Sequence, residues 1–282
     1  MIYYLMIFVA VCLFSTQFLL NNEYRKECGN TWNSVLKFSF YSSITGFITL
    51  VITNKFNFNI SMFSAVVAGV YSLVCIGLSY SSIKAFTYAN LSVYSVFAMI
   101  GGMLLPFIYG LMCGEEFKII RIVCCILIAL CVSLAIERQK QSKKAVKYYI
   151  AVFVLNGMAG VISKFHQSYT ELCVDSGSFM IMTRIFTFII CVVLLLLQQK
   201  KNFSITKKAA VYSMLYSVVN GIGNLLLLIA LLHIPASVQY PIVTGGTIVV
   251  STIISLIKRD RITKKEILAA GIAFVATCFM AI

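Results

Sequence analysis

Glu137-Arg138-Gln139-Lys140-Gln141-Ser142-Lys143-Lys144-Ala145-Val146-Lys147 is the one long stretch of this chain that water holds better than hydrocarbon, and it lies near the middle of 282 residues. Sliding the half after it back onto the half before brings Tyr148, Tyr149, Phe153 and Val154 onto Tyr3, Tyr4, Phe8 and Val9, an offset of 145 (148 − 3). The same offset carries Cys28 onto Cys173, Tyr71-Ser72-Leu73-Val74 onto Tyr216-Ser217-Val218-Val219, Ser92-Val93 onto Ser237-Val238, and Gly101 onto Gly246. One constant offset over a half-length marks a tandem duplication. The stretch 137–147 reads as a basic linker between two copies of one unit, residues 1–136 and 148–282.

The unit is built for lipid. Hydrophobic residues make up 60% of the chain and charged residues 11%, too little polar surface to clothe a water-soluble globule of this size. A bilayer core about 30 Å thick takes roughly 20 apolar residues per helical crossing. Ten apolar runs meet that need: Ile2–Leu20, Trp32–Ile52, Met62–Tyr80, Leu91–Met112, Ile119–Ile136, Tyr148–Phe165, Ser178–Leu197, Ala209–Leu232, Ser237–Ile257 and Glu266–Ile282. Five fall on each side of the linker. The expected fold is an all-α membrane protein of ten transmembrane helices. The first run has no basic n-region and its counterpart is internal, so it is kept as a helix rather than a cleaved signal.

An odd number of crossings per unit has a topological consequence: the two units must enter the membrane from opposite sides. The ten helices are therefore expected as two inverted five-helix repeats, the common plan of secondary transporters. The connections after spans 1, 3, 5, 7 and 9 hold seventeen lysines and arginines and those after spans 2, 4, 6 and 8 hold four, which by the positive-inside rule puts both termini outside. The net charge of +14 is spread over these short loops, where it meets anionic lipid headgroups rather than nucleic acid.

Polar residues inside the spans mark the candidate site. Tyr71 and Tyr216 recur at the repeat offset, Asn156 lies mid-span with Gly157, Asn220 and Asn224 share the eighth span, and Tyr240 and Thr244 share the ninth. Gly101, Gly102 and Pro106, and again Pro241, Gly245 and Gly246, either bend their helices around a midplane cavity or let neighbours approach closely. Two cations sit more than one turn inside spans. Lys37 is near a helix end and is expected to snorkel. Arg184 is deeper, at a cost of about 2.5–3.5 kcal/mol on insertion scales, and needs a partner or an aqueous cavity. All nine carboxylates fall in loops or at helix ends, so no embedded acid is available to carry an organic cation; the expected cargo is anionic, zwitterionic or neutral.

Enzyme chemistry has no constellation here. There is no Gly-x-x-x-x-Gly-Lys-Ser/Thr loop, no Gly-x-Ser-x-Gly and no His-Glu-x-x-His, and His166 and His233 stand far apart at helix ends. No cofactor or metal is expected, and the cysteines within spans read as small apolar packers.

The run Ala230-Leu231-Leu232-His233-Ile234-Pro235-Ala236-Ser237, then Tyr240-Pro241, a Gly-rich helix and Lys258-Arg259-Asp260-Arg261-Ile262-Thr263, resembles the second repeat of the EamA-like branch of the drug/metabolite transporter superfamily. Cys113-Gly114-Glu115-Glu116 looks like that family's Gly-Glu turn between the fourth and fifth helices. Two features depart from the family pattern: Phe14-Ser15-Thr16 stands where a Trp-Gly is common, and Arg259-Asp260 stands at the second Gly-Glu turn. The resemblance implies a plasma (cell) membrane transporter that exports or exchanges a small polar metabolite such as an amino acid. It also implies cytoplasmic termini, opposite to the loop charges. A carrier of a lipid-linked intermediate and a non-transporting membrane subunit are the alternative readings.

Overall fold

The computed structural model describes residues 2–88, 91–113, 143–198, 203–234, 236–258 and 264–280. Among them the chain is helical throughout, in nine helices: α1 (Ile2–Cys28), α2 (Trp32–Thr53), α3 (Met62–Ala85), α4 (Leu91–Met112), α5 (Lys143–Ser168), α6 (Ser176–Leu196), α7 (Lys207–Leu231), α8 (Ala236–Ile257) and α9 (Lys264–Met280). Seven of these, α1 to α7, are long and apolar enough to cross a membrane, and α8 holds a shorter apolar stretch, Ile242–Ile257. The chain is an integral, multi-pass membrane protein. The expected fifth span, Ile119–Ile136, lies outside the described residues.

Local chemistry sets the helix ends. Thr31, Ser61, Asp175 and Thr206 each accept the amide of the residue three positions on, at 3.2, 3.1, 2.9 and 3.3 Å, and so satisfy an orphan donor at the start of α2, α3, α6 and α7. Gly29, at φ +75°, ends α1 by turning its amide back to the Arg25 carbonyl at 2.8 Å. The expected linker boundary shifts. Lys143 to Lys147 form the opening turn and more of α5, because nothing in Lys-Lys-Ala-Val-Lys breaks a helix and lysine is a good helix former.

The helices of the first half pack mainly on those of the second. α1 lies against α7 and α8, α2 against α6 and α7, α3 against α5 and α6, and α4 against α5 and α8. The direction of α1 and α5 is opposite. At the end where α1 stops, Trp32 meets Tyr80 at 5.3 Å and Tyr80 meets Tyr148, at the start of α5, at 6.2 Å. This end of the bundle carries Arg25, Lys26, Lys84, Lys207, Lys208 and Lys258 and is called the basic face; Asp175 marks the opposite face.

Outer positions such as Phe8, Ile48, Val66, Leu73 and Val193 are exposed apolar side chains, which suit acyl chains and would aggregate in water. Inside, hydroxyls return to their own helix: Thr183 donates to Met180, Thr187 to Thr183 and Thr252 to Ile248, at 2.7, 2.7 and 2.8 Å. The glycines of α4 serve close approach. A Cβ at Gly101 would fall on the Phe153 backbone carbonyl, one at Gly157 would meet the Gly101 carbonyl at 2.6 Å, and one at Gly160 would meet Pro106 at 2.5 Å. α4 runs unbroken through Pro106. Of the two sequence readings for Gly101, close packing is the one its surroundings fit, and Gly157 and Gly160 of α5 meet α4 in the same way.

Candidate functional site

A cavity of about 190 Å³ opens where eight helices, α1 to α8, converge. Cavities of about 150 Å³ hold a benzene-sized molecule, so the space is somewhat larger than such a guest needs. All eight residues singled out from the sequence line it: Tyr71 from α3, Asn156 from α5, Arg184 from α6, Tyr216, Asn220 and Asn224 from α7, and Tyr240 and Thr244 from α8.

Arg184 is the centre of its polar wiring. Its Nη2 donates to Asn220 Oδ1 at 2.7 Å, Asn220 Nδ2 donates to Gln17 Oε1 at 2.6 Å, and Asn224 Nδ2 donates to the Asn220 carbonyl at 2.8 Å. The chain of bonds thus ties α6 to α7 and α7 to α1. Arg184 Nε is buried and has no partner. Gly46 of α2 makes room for it: a Cβ there would stand 3.0 Å from Nε and 2.5 Å from Ser217 Oγ. Tyr71, Cys75 and Tyr216 lie within electrostatic reach of the guanidinium. No ion pair of Arg184 occurs among the described residues, whose ion pairs join Glu23 to Lys26 at 3.0 Å and to Lys258 at 2.7 Å on the basic face.

The remaining candidates take up bonds at the periphery. Asn156 Nδ2 donates to the Ala98 carbonyl at 2.5 Å, and Thr244 donates to the Met99 carbonyl at 3.4 Å. Asn156 therefore also works as glue between α5 and α4. Tyr216 packs on Phe38 at 4.8 Å and Tyr71 on Phe179 at 5.8 Å.

Several lining residues were not singled out from the sequence: Gln17 and Asn21 of α1, Ser39 and Ser42 of α2, Thr183 and Thr187 of α6, and Gln239 of α8. Gln17 and Asn21 stand four apart in α1 and so share one face, a spacing that could have flagged them. Gln239 Nε2 donates to the Leu227 carbonyl at 2.8 Å, which fixes the amide's orientation and leaves its buried Oε1 without a partner.

Lys37 does not snorkel free. It is buried, and its ammonium donates to the Ser204 carbonyl at 2.8 Å, because the turn before α7 folds over it. His166 is buried as well. It stacks on Phe179 at 4.0 Å and shares a hydrogen bond of 2.8 Å with Ser64. His233 stacks on Tyr3 at 4.1 Å. No cluster of three or more His, Cys, Asp or Glu able to hold a metal occurs among the described residues.

Below the cavity, on the face opposite the basic one, Asp175 gathers the two halves. Its carboxylate accepts the Ser178 amide at 2.9 Å and hydroxyl at 2.7 Å, and the Asn54 and Asn59 side-chain amides at 3.3 Å each. Partial burial works against its charged form, but these donors hold the carboxyl below its ordinary range.

No family model matches the sequence, and no curated protein matches it. Among solved structures the chain is similar to one described only as "Crystal structure of protein". The two are 14% identical, the match covers 98% of this chain and 94% of that one, and the TM-score is 0.60. At that identity the likeness speaks to the fold alone.

Proposed function

We propose that the chain is a ten-helix secondary transporter of the plasma (cell) membrane, built from two inverted five-helix repeats, that moves a small polar metabolite by alternating access. The observation that carries this reading is the polar cavity centred on Arg184, enclosed by helices from both halves in a bundle whose outside is apolar. Exchange α1 with α5, α2 with α6, α3 with α7 and α4 with α8, and the eight principal pairings between the halves map onto themselves. The opposed directions of α1 and α5 fit repeats inverted about an axis in the membrane plane. Cavity size favours a metabolite over a lipid-linked cargo. The EamA-like resemblance agrees with export or exchange of an amino-acid-like compound, with the basic loop ends resting on anionic headgroups.

The test is untargeted. Liposomes carrying the purified chain are loaded with a metabolite mixture, and their contents are followed by mass spectrometry. Selective loss of a few small polar solutes, absent from protein-free vesicles, is the expected result; uniform retention would leave the non-transporting subunit as the better reading.

A further inference from the structure

The chemistry of the cavity narrows its cargo, and this step rests on the transport reading above. A guanidinium is a planar fork of five donors with no acceptor, matched in shape and charge by a carboxylate. Here one arm, Nη2, is occupied by the neutral Asn220 Oδ1, and the adjacent Nε is buried with no partner at all. Leaving such a donor unsatisfied away from water is costly, and the more so for a charged group. The described lining contains no carboxylate. No described residue of the wall can therefore neutralise Arg184. Gly46 lets α2 pack closely on the guanidinium, since a Cβ there would stand 3.0 Å from Nε.

We infer that the cargo is a small monocarboxylate whose carboxylate docks side-on on Arg184, taking Nε and displacing Asn220 from Nη2. One half-buried cation matches one negative charge. A phosphate ester, carrying up to two, would be left under-compensated. Displacement also gives Asn220 a positioning role: once released, its bond to Gln17 of α1 is the one that must rearrange, so occupancy at α6 is passed to a helix of the first half. The unpartnered Gln239 Oε1 offers an acceptor elsewhere in the same cavity, so an N–H or O–H on the cargo's remainder is accommodated.

The experiment is a thermal-shift series on the purified full-length chain in detergent, independent of any transport assay. The probes are the amino acids, their 2-hydroxy analogues and unsubstituted acids of up to about ten heavy atoms, the size set by the cavity. Each acid is paired with its amide, its amine and a phosphate ester of similar size. At least one acid is expected to raise the unfolding temperature, with its amide binding about tenfold or more weaker. Arg184→Lys should weaken that acid by about tenfold and Arg184→Gln should abolish the shift. The comparison of charge classes on the unaltered chain stands even where a variant fails to fold. Amides, amines or phosphate esters that stabilise as well as the acids would overturn the inference, and so would a panel in which no acid stabilises. An acid that binds but is never carried across a liposome would leave this assignment intact and sink the transport reading instead.

Discussion

Ser72 and Ser217, 145 positions apart (217 − 72), are both fully buried, and each donates its hydroxyl to a backbone carbonyl on a helix of the other half. Ser72 reaches Thr183 on α6 at 2.8 Å, and Ser217 reaches Ser42 on α2. The same side chain, at the 145-residue offset, closes the same kind of joint twice. Ser72→Ala and Ser217→Ala are each expected to lower stability by about 0.6 kcal/mol and by no more than about 1.7 kcal/mol, the range for interhelical bonds within membranes. Unfolding in mixed micelles measures both; a cost at one site and none at the other would argue that the two joints are unrelated.

Gly101 and Gly271 separate close approach from open space. A methyl at Gly101 collides with the Phe153 backbone, which cannot move aside as a flexible side chain would, whereas nothing stands within 4 Å of a methyl at Gly271. Gly101→Ala should therefore cost about 1–3 kcal/mol. Gly271→Ala should be neutral or gain up to about 1 kcal/mol from helix propensity. Thermal unfolding of the two variants side by side checks the contrast.

Much of this frame was legible in the residues, for identifiable reasons. Leu91 and Met112 bound α4 as the apolar run does, since the hydrophobic stretch and the helix end together. α1 and α3 outrun their apolar cores, to Cys28 and Ala85, because polar residues such as Asn22, Glu23 and Lys84 continue a helix into the headgroup layer without breaking it. Tyr71, Arg184, Tyr216 and Asn220 stood out as polar groups amid hydrocarbon, and they meet in one cavity. Ser39, Ser42 and Thr187 did not stand out. Small hydroxyls can satisfy themselves on their own helix, so the sequence pattern is silent about whether they also face a cavity. The environment of Lys37 was misread because its partner, the Ser204 carbonyl, is a backbone group 167 positions away.

Asp175 gives the face opposite the basic one its pH dependence. Its carboxyl is held below the ordinary range by Ser178, Asn59 and Asn54, against the effect of burial, so its contribution to stability is present in full above the ordinary aspartate pKa of about 3.9. That contribution is lost as pH falls below this value and through the lowered native one. Asp175→Ala, which also removes the cap of α6, should cost about 0.5–2 kcal/mol at neutral pH and flatten the acid limb of the stability curve. An unchanged acid limb in the variant would count against the network.

Cys28 ends α1 on the basic face, and Cys173 precedes α6 on the other. In chains that keep only one cysteine, an impermeant thiol reagent added to intact cells should modify one of these two positions and not the other. The position modified also fixes which face is outside, where loop charge and family resemblance disagree. Labelling of both from the same side would refute the helix order.

The central claim is that one cavity communicates with each side of the membrane in turn. A single cysteine at Ser79, which lines that cavity, in a chain otherwise free of cysteine, tests it without knowledge of the cargo. In sealed vesicles of each orientation, a small impermeant thiol reagent is expected to label this position from both faces. Labelling from one face alone, or from neither, would contradict alternating access.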